Sequence, residues 1–171
     1  VQTILGRLPG DYSLPICLVQ HISPGLVRAF AAWLDKTTEL SVRVAKEGER
    51  PVRGRVYVAP EDVHIEFGRT GLIRLTGAPA RDGHRPSVTV AFESAAKAFG
   101  ARSIAALLTG MGTDGAAGMR ALSDAGSMTL SQTAESCVVY GMPRAAVELG
   151  ATRHVLSPTA IADTLLEATR S

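Results

Sequence analysis

Two kinds of hydrophobic spacing alternate along the chain. Short continuous or alternating apolar runs are followed by stretches in which apolar residues recur every three or four positions, the pattern of strands and helices taking turns in an α/β sheet. Residues 14–20 (LPICLVQ) form a continuous run, expected of a strand buried on both faces. Pro24-Gly25 then opens a helix on which Leu26, Phe30, Ala31, Trp33 and Leu34 share a face, and residues 41–45 (SVRVA) alternate as a half-buried strand does. Three short alternating runs follow at 55–59, 63–67 and 72–76, separated by Pro60 and by Gly68-Arg69-Thr70-Gly71. They predict an antiparallel hairpin or small meander attached to the main sheet.

Helical spacing resumes over 87–99, with Val88, Ala91, Phe92, Ala95, Ala96 and Phe99 on one face and Gly100 as its stop. Residues 103–108 (SIAALL) read as a buried strand, 116–125 as a helix ended by Gly126, and 127–131 as a strand. A short helix over 142–149, a strand over 154–156 and a last helix over 159–169 complete the chain. The expected architecture is a single α/β domain over 1–171, doubly wound around a mostly parallel sheet with an antiparallel insertion.

Composition excludes several function classes. A net charge of +2, with 20% charged and 5% aromatic residues, provides no basic stripe for nucleic acid. No apolar run approaches the ~18 residues of a membrane span, and the first residues lack the basic n-region and cleavage site of a signal peptide. Cys17 and Cys137 sit in apolar surroundings without the close spacing of metal ligands, and are expected to be buried thiols of a cytoplasmic protein. Neither metal nor cofactor is expected.

Candidate chemistry collects where strands end. In open α/β sheets ligands bind beyond the carboxyl ends of the strands. His21 follows the 14–20 run, and Asp114 lies in the glycine-rich loop LLTGMGTDGAAGM (107–119) after the 103–108 run. The two loops are expected on one edge of the sheet, where a His and an Asp form two thirds of a Ser–His–Asp constellation. The blander alternative makes Asp114 the N-cap of the helix that follows it. A third reading takes Gly110 to Gly115 as a G-x-G-x-x-G dinucleotide loop. The acidic residue that such a fold needs about 20 positions on is missing, since Leu130, Ser131 and Gln132 occupy that place.

Five blocks, VQHISPG (19–25), GRVYVAP (54–60), HRPSV (84–88), LLTGMGTDGAAGM (107–119) and SCVVYGMPRAAVELGA (136–151), resemble in order the catalytic domain of CheB-type protein-glutamate methylesterases. The resemblance implies hydrolysis of glutamate methyl esters on chemoreceptors, with deamidation of receptor glutamines, by a Ser–His–Asp mechanism. It carries the His over to His21, the Asp to Asp114, and an oxyanion-stabilising backbone N–H to Met111. His64 and His84 fall in similar blocks and are expected either to line the groove or to be, respectively, a surface hairpin residue and a helix-entry residue. The implied partners are the cytoplasmic helices of methylated chemoreceptors, and relatives commonly carry a receiver domain ahead of this one, which the 171 residues do not contain.

The family's nucleophile lies in a GAS-x-GG-like turn after its first strand, and no such turn occurs here. Val1 to Leu5 look like the residues that follow it, so the first central strand and the nucleophile turn are expected to lie upstream of Val1. Ser13 and Ser23 lack the strained turn of a nucleophile elbow. An inactive binding module of the same fold is the alternative function.

Overall fold

The structure, a computed structural model, describes residues 1–170. Its elements are α1 (Gln2–Leu5), β1 (Ile16–Leu18), α2 (Val27–Thr37), β2 (Ser41–Val44), β3 (Arg55–Val58), β4 (His64–Phe67), β5 (Ile73–Thr76), α3 (Val88–Phe99), β6 (Ile104–Leu107), α4 (Ala116–Asp124), β7 (Met128–Gln132), α5 (Met142–Glu148), β8 (His154–Leu156) and α6 (Pro158–Glu167). Strands β1, β3 and β2 form one parallel sheet in that spatial order, and β6, β7 and β8 form another. Strands β4 and β5 pair antiparallel, His64 opposite Thr76 and Phe67 opposite Ile73.

The insertion is therefore a two-stranded hairpin, and the first of the three alternating runs, 55–59, belongs elsewhere. β3 is the central strand of the first parallel sheet, with Val56 between Ile16 and Val42. Its apolar face packs under α2, whose Val27, Ala31 and Leu34 meet Leu40, Val42, Val56 and Val58. Burying a side chain of this size stabilises the fold by roughly 1.5–3 kcal/mol. The second sheet is covered by α4 and α5, through Leu107, Met119, Leu122, Met142 and Ala146. On its other side α6 places Ile161 and Ala162 against Leu130, with Ile4 of α1 alongside.

α3 starts and stops where local chemistry says it must. The Ser87 hydroxyl accepts the Val90 N–H as an N-cap. Gly100, at φ 53, takes the left-handed turn that ends the helix.

The two parallel sheets turn unpaired edges toward each other. β1 pairs only with β3, and β6 only with β7. Between them runs a cavity of about 580 Å³, bounded by Ile16, Cys17 and Leu18 on one side and Ile104 to Leu107 on the other, with Val1 and Leu5 also lining it. This explains why the 14–20 run is not the fully buried strand its composition predicts: Ile16, Cys17 and Leu18 are only part-buried. The thiols depart from expectation in burial alone, since Cys17 and Cys137 are free but only part-buried. Burial in the cavity wall pushes the Cys17 thiol up to about 12, which removes it as a nucleophile at neutral pH.

Candidate active site at the mouth of the slot

The carboxyl ends of β1 and β6 open on the same end of the cavity, and the loops that leave them bring His21 and Asp114 together. His21 Nε2 lies 2.9 Å from Asp114 Oδ2, with the His21 side chain 25% exposed and that of Asp114 fully buried. The distance is that of a charge-assisted contact, but the ring does not aim an N–H along the line to Oδ2. Such pairs are commonly misaligned until substrate is bound. The loop after His21 is tied down by Glu61, whose carboxylate accepts the N–H groups of Gly25 and Val27.

Asp114 does not cap the helix that follows it. The N-cap of α4 is Gly115, at φ 93, with no side-chain bond. The Asp114 carboxylate instead sits on the first turn of α3. Oδ1 accepts the Ser87 hydroxyl at 2.7 Å and the Thr89 N–H at 3.0 Å, while Oδ2 accepts the Val88 N–H at 2.8 Å. A helix N-terminus presents free N–H groups and a positive dipole end, the setting a carboxylate prefers. Burial alone would push this carboxyl up. The contact with His21 and the bonds from Thr89, Ser87 and Val88 outweigh it and hold the group well below the usual carboxylate range.

The glycines of the loop allow this reach. A Cβ on Gly115 would lie 2.7 Å from Leu107 Cδ1, and one on Gly118 would lie 2.6 Å from Phe92 Cβ on α3. Close packing of α4 against α3 is what the bare backbone is for. In return the Thr89 hydroxyl accepts the Gly115 N–H at 2.8 Å.

Met111 stands beyond the end of β6 and is 81% exposed. Gly110 before it is held on both sides. Its N–H donates to the Val139 carbonyl, and its own carbonyl accepts the N–H groups of Gly141 and Met142. Gly141 must be glycine, because a Cβ there would come 2.6 Å from the Gly110 oxygen. The buried Gln132 links the same loops, accepting from Thr109 N–H and donating to the Ser136 carbonyl. Among the described residues the Met111 N–H has no partner, and Met111 lines the same end of the cavity as His21.

The other histidines separate. His84 stacks flat on His21, ring centres 3.9 Å apart and planes 5° apart, and both line the cavity. A local signal for its position lay in Asp82-Gly83, both at positive φ, which close a tight turn between Arg81 and His84. His64 is neither a groove nor a surface residue; it is fully buried. Its Nδ1 accepts the Ser87 N–H at 3.1 Å and its Nε2 donates to the Pro79 carbonyl at 3.0 Å. Ser13 and Ser23 are exposed and bond nothing at His21. No cluster of metal-ligating side chains occurs among the described residues, and no helix there is long and apolar enough to cross a membrane.

The family model described as CheB methylesterase matches residues 1–165. A protein-glutamate methylesterase/protein-glutamine glutaminase of Pseudomonas aeruginosa is 47% identical over 170 residues, covering 98% of this chain and 48% of its own length. One from Geobacter metallireducens is 43% identical over 166 residues, covering 96% of this chain and 48% of its own. The crystal structure of the Thermotoga maritima CheB methylesterase catalytic domain superposes with a TM-score of 0.93 at 35% identity, over 98% of this chain and 90% of that one. The chain thus spans about half the length of the curated relatives it matches.

Proposed function

The chain belongs to the CheB methylesterase family, and from that membership we propose that it is the catalytic domain of a protein-glutamate methylesterase. It hydrolyses glutamate methyl esters on the cytoplasmic helices of chemoreceptors to glutamate and methanol, and deamidates glutamines there. The observation that carries the reading is the contact of His21 with a buried, ionised Asp114 at the carboxyl ends of two parallel strands. The names of the relatives support both reactions.

The nucleophile in this reading is a serine on a strand that fills the slot between β1 and β6. Two facing unpaired edges, apolar walls and a mouth that opens on His21 and Met111 support that placement. His21 takes the hydroxyl proton as the oxygen attacks the ester carbonyl. The Met111 N–H receives the developing oxyanion, a donor worth about 3 kcal/mol in such sites. The tetrahedral intermediate collapses as His21 passes the proton to the departing methoxide, and water releases glutamate by the reverse sequence. Asp114 keeps the imidazole oriented and stabilises its charged form. The relatives' greater length supports a further domain in the whole protein, which we assign to a receiver on the family resemblance.

Methanol release from methylated chemoreceptor membranes tests the reading, using the chain extended upstream of Val1 through its natural coding sequence. Release that depends on His21 supports it. A folded extended protein that releases no methanol overturns it in favour of a binding module.

A further inference from the structure

The buried bonds behind Asp114 form one continuous line. The Pro79 carbonyl accepts from His64 Nε2, His64 Nδ1 accepts from the Ser87 N–H, and the Ser87 hydroxyl donates to Asp114 Oδ1. Every side chain on that line is buried: His64 and Ser87 have no exposed surface and Asp114 has almost none. Because Nδ1 accepts a backbone N–H, the His64 proton must be on Nε2, so the ring is a neutral spacer with one tautomer.

Ser87 is the branch point. Its hydroxyl holds the carboxylate and also accepts the Val90 N–H, while its own N–H is held by His64. Rotation of the Asp114 carboxylate would break the Ser87 bond, the Thr89 and Val88 bonds and the His21 contact together. Buried networks of this kind fix geometry because each broken bond leaves an unsatisfied group in a low dielectric.

We propose that Ser87 is a positioning residue for the Asp114–His21 pair, and that His64 acts through it by fixing the first turn of α3 against β4. The proposal rests on the proposed function for its kinetic readout. Losing the Ser87 hydroxyl removes one of the three donors that hold the carboxylate, leaving the Thr89 and Val88 N–H groups, and so loosens its orientation toward His21 while the fold persists. Misplacement of a catalytic group by an ångström costs about 100-fold in rate, so Ser87→Ala is expected to lower kcat by about 10- to 100-fold with KM unchanged. Ser87→Thr, which keeps the hydroxyl, restores most of the rate.

A purely structural N-cap would give a different pattern, and a matched control exists. Ser157 caps α6 in the same way, accepting the Ala160 N–H, and bonds nothing at the site. Turnover of the upstream-extended protein is compared for wild type, Ser87→Ala, Ser87→Thr and Ser157→Ala, each corrected for its folded fraction. The His21 ring N–H resonance is followed in parallel, which needs no turnover. Loss of kcat and displacement of that resonance in Ser87→Ala, with Ser157→Ala unaffected, supports the proposal. Equal kcat in the two alanine variants, with the His21 resonance in place, overturns it. Wild type without turnover sinks the esterase reading, while the resonance still decides whether Ser87 positions His21.

Discussion

His21 and His64 are 43 residues apart in sequence, and His21 meets the Asp114 carboxylate directly whereas His64 reaches it only through Ser87, so their surroundings differ sharply. Both nitrogens of His64 are bonded to backbone groups and the ring is sealed from solvent. His21 offers one nitrogen to Asp114, leans on His84 and keeps a quarter of its side chain exposed. A histidine with both nitrogens committed cannot shuttle a proton without breaking the structure around it. One with a single committed nitrogen can, which is the division expected between a structural and a catalytic imidazole.

The contrast is broken hardest at His21. In the upstream-extended protein, His21→Ala is expected to lower methanol release by about 10⁴-fold. Its thermal midpoint stays close to wild type, because a part-exposed ring held only by the Asp114 contact and the His84 stack contributes little to folding. The converse holds at His64. His64→Ala leaves the Ser87 N–H and the Pro79 carbonyl without partners and opens a cavity, together expected to cost about 2–4 kcal/mol in urea unfolding. If the two substitutions exchanged their effects, the structural assignment of His64 would be wrong.

Much of this was legible in the residues, and what was not has physical causes. α3 was readable to within one residue because its apolar spacing and its stop glycine mark 87–99 without help from the rest of the fold, and Ser87 is its N-cap. β3 was grouped with the strands of an expected hairpin or meander, of which β4 and β5 form the hairpin, because a half-buried strand alternates in the same way whether its neighbours are parallel or antiparallel. The meeting of His21 and Asp114 followed from two strand ends and the family resemblance. The partner of Asp114 did not, because capping rules are local and its helix begins 26 residues earlier at Val88. His64 was ambiguous for a similar reason: nothing in the sequence announces that the start of a helix will fold over the β4 hairpin.

The charge on Asp114 provides a gentler probe of the same pair. Its folded carboxyl is held below its unfolded value of about 4. The sign of the linkage is then fixed: the stability it contributes is complete above about pH 5 and is lost as pH falls through 4 and toward the folded value. Asp114→Asn lacks that dependence. The difference in unfolding free energy between wild type and Asp114→Asn should be flat from pH 7 to 5 and then shrink on acidification. A difference that widened as pH fell from 7 toward 4 would mean that the carboxyl is protonated in the native state.

The smallest effect belongs to His84, and it sharpens the comparison because His84 does at the surface what the backbone does for His64. Its ring lies parallel to His21 at 3.9 Å and restricts how far that ring can tilt away from Asp114. Stacking of this kind is worth about 0.5–1.5 kcal/mol, which sets the scale of what its removal can do. His84→Ala is therefore expected to reduce turnover by only about 3- to 10-fold. His84→Phe, which keeps a flat ring in place, should recover the loss. Recovery by Phe would show that planarity is what His21 needs from its neighbour; failure of Phe with recovery by Gln would show that it is a hydrogen-bonding group.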